Sequence, residues 1–511
     1  MLRRADRYIV RCWTGEYARQ LRCGLALLSV VTGGSFEITA RRAQSELLCA
    51  TLAIIIPNMQ RILRYLPFGG VIALLAYMPF HIFLSQWLSL ATGGLDAWKL
   101  GKDVALAVLA MFSICLVWQQ RKGMRQFHIL LVGGVLYAAL HGLLWLTHPA
   151  LFRDSVLLGI IYNNRLFAYV VLGMAAGLLM AVKDRTKVFS IVTRVILIVS
   201  TIVAVLGVVQ YFLPKDILTH VGYSLDRGVR PNFFIDDNPA FPRIMSTLRD
   251  PNSLGAYLLF PIALLSARIM HMYAYTVRRK LLLVALVIVH IVALYLTFSR
   301  SAWLGVIIVW IAIAWWRFSS QFVRILKRWW PALIVGVIIT GGALFVTRHD
   351  ASVGGILTHS TSAQAGPYGS NEYHLLYIKH GVERIWHNPL GHGPGTAGLA
   401  SIHNPGGGML TENYYVQIGY ELGVLGLVML IGMQVWLYIH IARCRNEWTI
   451  VLLATFWAYV ATNMLLHTWS NEAVAAQWWL VAGLVLGVTA TGKAKKRSDA
   501  QSDATTPHAD V

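Results

Sequence analysis

Stretches of about 20 apolar residues recur along most of this chain, each long enough to cross the hydrocarbon core of a bilayer as a helix. Such runs stand at 70–92, 101–119, 127–147, 163–182, 188–212, 253–275, 281–299, 302–316, 330–347, 413–440, 449–468 and 472–490. The run 302–316 is short and needs its flanks to span. Lipid offers no hydrogen bonds to a bare backbone, so every run must satisfy its own N–H and C=O groups. The expected fold is therefore all-α, a polytopic transmembrane bundle of about twelve spans.

Only 13% of the residues are charged, about half the fraction of an ordinary soluble domain. The formal net charge of +21 does not point to nucleic acid, because Lys and Arg fall in short clusters between apolar runs. With the N-terminus inside, the inside segments hold 29 Lys and Arg and the other side 13, with Arg194 and Arg268 near inner helix ends. The clusters Arg278-Arg279-Lys280, Lys327-Arg328 and Lys495-Lys496-Arg497 all land inside. This bias predicts that both termini are cytoplasmic. Residues 1–69 then form a basic cytoplasmic segment, 70–490 the membrane domain and 491–511 a disordered cytoplasmic tail. The first 45 residues are basic and broken, which predicts no cleavable leader. The cysteines (Cys12, Cys23, Cys49, Cys115 and Cys444) form no CxxC pair or zinc spacing and avoid the outside loops, so no disulfide is expected.

The same topology leaves two long outside connections, 213–252 and 348–412, over the membrane mouth. Long loops in a compact protein usually carry function. Three segments there carry candidate chemistry. FPRIMSTLRDPNSLGAYL, 241–258, brings Arg243 and Arg249 to the interface, and its Asp250-Pro251-Asn252-Ser253 reads as a turn and helix N-cap. LTFSRSAWLG, 296–305, sets Arg300 at a tight turn between two runs. The third segment includes HLLYIKHGVERIWHNPLGHGPG, 374–395, and exits through TENYYVQIGYELGVLG, 411–426. Taken singly, Arg300 reads first as an arginine snorkelling to the interface, and Glu412 is equally a carboxylate complementing a helix dipole. His374, His380, His387 and His392 match no zinc spacing, so no metal is expected. Together the three segments fall on one face. Several arginines beside a membrane mouth suit a diphosphate, because the guanidinium fork pairs bidentately with phosphate oxygens. A glycine-rich loop can add backbone N–H donors.

These segments resemble the O-antigen ligase and O-antigen polymerase superfamily of bacterial membrane glycosyltransferases, over about 230–430. RIMSTLRDPNSLGAYL is similar to the family's Arg-x-x-small-Thr-x-x-x-Pro-Asn segment, and LTFSRSAWLG to its Ser-Arg-Gly/Ser turn. ERIWHNPLGHGPG resembles its Asn/His-Pro-Leu-x-Gly-x-Gly loop, and ENYYVQIGYELGVLG its exit pattern through Asn413, Gly423 and Gly426. Two positions depart: Glu412 stands where the ligases have histidine, and His374 where an arginine is common.

The resemblance implies an enzyme of the bacterial cytoplasmic membrane, with its active site on the outer face, that takes a glycan from undecaprenyl diphosphate and needs no cofactor. Its partners would be a lipid-linked oligosaccharide donor, a glycan or glycolipid acceptor, and membrane lipids. It further implies that Arg243 and Arg300 bind the diphosphate and Glu412 serves the acceptor hydroxyl, with Arg249, His374 and Asn413 as substrate contacts. The rival reading is a transporter or lipid-linked glycan flippase. Transporters often show repeated halves and polar groups at mid-depth. This chain has no clear repeat, and its polar segments gather at one surface.

Overall fold

The computed structural model of the chain describes residues 63–120, 124–180, 184–235, 238–270, 275–319, 328, 370–405, 407–409 and 411–504. The chain divides into two compact units, Met1–Leu66 and Pro67–Val511, and the bundle belongs to the second. Among the described residues the order is α1 (Leu63–Thr92), α2 (Leu95–Gln120), α3 (Met124–Thr147), α4 (Arg153–Leu179), α5 (Arg185–Phe212), β1 (Phe233–Ile235), β2 (Asn238–Arg243), α6 (Pro251–Ile269), α7 (Val277–Leu296), α8 (Arg300–Ser319), α9 (Ser370–His387), α10 (Tyr414–Ala442), α11 (Glu447–Asn463) and α12 (Glu472–Ala504). The expected all-α bundle is present. Among the described residues, 10 helices are long and apolar enough to cross a membrane. α11, with 17 residues, is at the short limit for a span, and α9 is polar on much of its surface. The apolar run 330–347 lies outside the described residues; the other runs coincide with helices. The short α8 gains its length from its flanks, as its run required. α4 starts at Arg153, well before its apolar run, and Ser155, Val156 and Gly159 of this added stretch are already buried.

α4 and α12 form the centre. In lipid no hydrophobic force drives helices together, so close packing of small residues does. Gly173 and Gly177 on α4 face Gly483 and Gly487 on α12, a small-xxx-small pair on each helix. A Cβ on Gly177 would stand 2.5 Å from the Leu484 carbonyl oxygen, and one on Gly483 2.7 Å from the Met174 nitrogen. Both backbones therefore approach to a distance that side chains would forbid, and 89% of the α12 span is buried.

Irregular backbone sinks into the bundle at one end. The loop 243–249 is tied by Ser246 Oγ to the Val203 carbonyl of α5 and by Thr247 Oγ1 to the Pro79 carbonyl, where Pro79 breaks α1 into a 3-10 turn. Non-helical backbone at such depth survives only when buried in protein or lining a cavity. The other loops at this end join it. Ile244 N donates to Leu296 O, Lys99 Nζ to Arg227 O, and Asn413 Nδ2 to Met464 O.

Candidate active site

The α6 entrance is built as its residues dictate. Asp250 caps the helix, its carboxylate accepting from Ser253 N at 2.8 Å and Ser253 Oγ at 2.7 Å, with Pro251 in the first turn. Gly255, one turn in, lets the α7–α8 corner close on the helix: a Cβ there would lie 2.6 Å from the Ala302 Cβ. The first two motifs therefore meet. Arg243 Nε donates to Thr297 O at 2.9 Å and its Nη2 to Asn252 Oδ1 at 2.9 Å. Arg300 begins α8 just beyond that corner, where the free N–H groups of the helix add positive field. Among the described residues, non-glycine φ values in the left-handed region occur at Ser246 (54°), Phe298 (48°), Glu412 (50°) and Arg445. The first three lie in the three motif loops. Backbone strain of this kind costs about 1–3 kcal/mol per residue and gathers at functional sites.

The third motif closes around a break in α10. Gly423 leaves the helix at φ 69° and ψ −174°, which frees the carbonyls of Tyr420 and Glu421. His392 N and Gly393 N take them, each at 2.9 Å, and Val424 N returns to Pro389 O at 2.9 Å. A Cβ on Gly391 would stand 2.5 Å from the Gly423 nitrogen, so the loop fits the break only as glycine. The buried Glu421 carboxylate pins the same loop, accepting from Asn163 Nδ2 at 2.8 Å and Ala397 N at 3.2 Å. The sequence suggested that this glycine loop offers N–H donors to phosphate. At His392 and Gly393 those donors are instead spent on α10.

Asn413 and Glu412 divide two roles that look alike in sequence. Asn413 caps α10, its Oδ1 accepting from Tyr415 N and Val416 N while its Nδ2 holds Met464 O. Glu412 precedes the cap, and its Oε2 lies 3.3 Å from His374 Nδ1 on α9, with both side chains about one-third exposed (29% and 35%). The two residues that depart from the family pattern thus face each other. Beside them Thr411 Oγ1 meets His467 Nε2 at 2.9 Å. His467 went unnoticed in the sequence because it fell at the end of the apolar run 449–468, outside the three motif segments; the structure places it between α11 and α12. We expect Asn413→Ala to cost about 1 kcal/mol of stability through the lost cap, read as a lower unfolding temperature in detergent. A fall in turnover per folded molecule would instead make Asn413 a substrate contact.

A cavity of about 1010 Å³ opens at this end. Arg249, Asn252, His403 and His467 are on its wall, so it touches the first motif directly and the third through His467 and Thr411. Arg243 stands behind Asn252. Lys102 and Glu472 on its wall belong to a cluster of charges that the motif search passed over. Arg165 Nη1 lies 3.1 Å from Glu472 Oε1, Lys102 Nζ is 3.6 Å from the same oxygen and 2.8 Å from Asp103 Oδ2, and Arg165 also donates to Ser470 O. Their sequence signal was present: Lys102, Asp103 and Arg165 are charges inside apolar runs, which usually mark function.

Residues 284–431 match the family model described as O-antigen ligase. No curated protein matches the chain. The matched stretch holds Arg300, His374, Glu412 and Asn413, and the structure folds Arg243 against it at Thr297. Over residues 284–431, therefore, this multi-helix membrane protein carries a stretch similar to the O-antigen ligase family.

Proposed function

We propose that the protein transfers or polymerises glycans from an undecaprenyl-diphosphate donor onto a sugar hydroxyl, at the outer face of a bacterial cytoplasmic membrane. What supports this reading is a large cavity lined by Asn252, which holds Arg243, and by His467, which meets Thr411 beside Glu412, in a bundle whose residues 284–431 match the family model. In the reaction the acceptor oxygen bonds to the anomeric carbon as the bond from that carbon to the diphosphate oxygen breaks. Glu412 takes the hydroxyl proton. Arg243 and Arg300 hold the negative charge that grows on the leaving diphosphate. Arg243 comes pre-set for this by Thr297 and Asn252. Arg249 and His374 contact donor and acceptor. Energy comes from the glycosyl diphosphate bond, so the site needs no nucleotide.

Purified protein in vesicles, given a lipid-linked oligosaccharide and candidate acceptors, tests the reading by product analysis. A new glycosidic bond and free lipid diphosphate support it. Donor moved across the bilayer unchanged would make the protein a flippase. The orientation has its own test. In a variant without native cysteines, single cysteines at positions 362 and 498 should react with an impermeant thiol reagent in intact cells only at 362. Labelling at 498 alone would place the site on the cytoplasmic side.

A further inference from the structure

The cavity is lined by charges of both signs. Five Asp or Glu side chains stand against four Lys or Arg among the described residues of its wall. A site for diphosphate alone would hold a net positive charge. A balanced wall of carboxylates, cations, hydroxyls and amides instead suits a neutral polyol, whose hydroxyls both donate and accept. The size agrees, since pockets of about 300–1,000 Å³ take a whole drug-sized ligand, and this one is about 1010 Å³. A diphosphate leaves most of that space empty, whereas an oligosaccharide fills it.

The buried charges around Glu472 need a reason. Lys102, Asp103 and Arg165 have side chains 2–7% exposed. Burying such a network costs several kcal/mol per ion, and a well-packed apolar replacement is often as stable. What the network achieves is to present Glu472. Its carboxylate is 18% exposed, lies on the cavity wall, and is gripped at Oε1 by Arg165 and Lys102. Tyr162 stands on the same wall, with the Arg165 guanidinium 4.8 Å over its ring.

Building on the glycosyltransferase reading, we propose that this cavity is the glycan subsite and that Glu472 is its specificity-determining hydrogen-bond acceptor for sugar hydroxyls. Arg165 and Lys102 act as positioning residues that fix the carboxylate. The diphosphate is held separately, at the corner of Arg243 and Arg300.

The test measures binding of two probes to full-length protein in nanodiscs: undecaprenyl diphosphate alone, and the undecaprenyl-diphosphate oligosaccharide purified from the host's own membranes. Wild-type protein should bind the glycan-bearing probe more tightly. Glu472→Gln should weaken that probe by about fivefold or more, since it removes a charged acceptor, and leave undecaprenyl diphosphate unchanged. Unchanged affinity for the glycan-bearing probe, or equal loss for both probes, overturns the assignment. If Glu472→Gln does not reach the membrane folded, Glu472→Asp, which keeps the charge beside Arg165 and Lys102 but withdraws the carboxylate by one methylene, decides by the same two readings. A wild-type protein that binds neither probe fails the glycosyltransferase reading itself, a result distinct from a variant that keeps full glycan affinity.

Discussion

Glu412→Gln should lower turnover by about 10²-fold or more while donor affinity is retained. Glutamine keeps the size of the side chain and one acceptor oxygen but cannot take a proton. The geometry sharpens this expectation. Asn413 satisfies the first N–H groups of α10, so Glu412 is not needed as a cap. Its carboxylate is turned to His374 and remains partly open. Its left-handed backbone at φ 50° is strain that a purely structural carboxylate would not require. Glu412→His should restore part of the lost activity, because histidine is the residue the related ligases carry there. The check is steady-state turnover with a lipid-linked oligosaccharide, beside donor binding on the same preparation. Full turnover in the Gln variant would remove Glu412 from the mechanism and leave the arginine corner as the site.

Arg300→Lys should cut turnover by about tenfold or more, equivalent to roughly 1.4 kcal/mol or more of transition-state stabilisation. Lysine keeps the charge and the long apolar stem, so an arginine that only snorkelled to the interface would tolerate the change. It loses the planar fork that pairs with two phosphate oxygens at once. The position supports the demanding role. Arg300 opens α8 directly after the strained Phe298 corner, and that corner is bonded to Arg243 through Thr297. The measurement is turnover at matched protein levels. Unchanged activity would return Arg300 to the role of interface anchor and leave Arg243 to hold the leaving group.

Much of this protein is written locally in its sequence. A run of about 20 apolar residues in lipid has no choice but to be a helix, so 70–92 or 188–212 fixes a span without knowledge of its neighbours. Caps are equally local. Asp250-Pro251 starts α6 and Asn413 starts α10, because a side-chain oxygen needs only the N–H groups two or three residues on. The candidate residues of the site were legible as well, since arginines at a membrane mouth are costly enough to stand out. What each one touches was not. Glu412 and Asn413 are adjacent and polar, and only the approach of α9 and the α11 end turns one to His374 and the other to Met464. The glycine loop looked like a phosphate cradle until the break at Gly423 supplied carbonyls that claim its N–H groups. Glu472 joins Arg165 from the far end of the chain because glycines on α4 and α12 let those two backbones close together. Such pairings join residues of separate elements, in the case of Arg165 and Glu472 from distant parts of the chain, and no local pattern encodes them. They are set by which helix faces pack and how closely, which is a property of the assembled bundle.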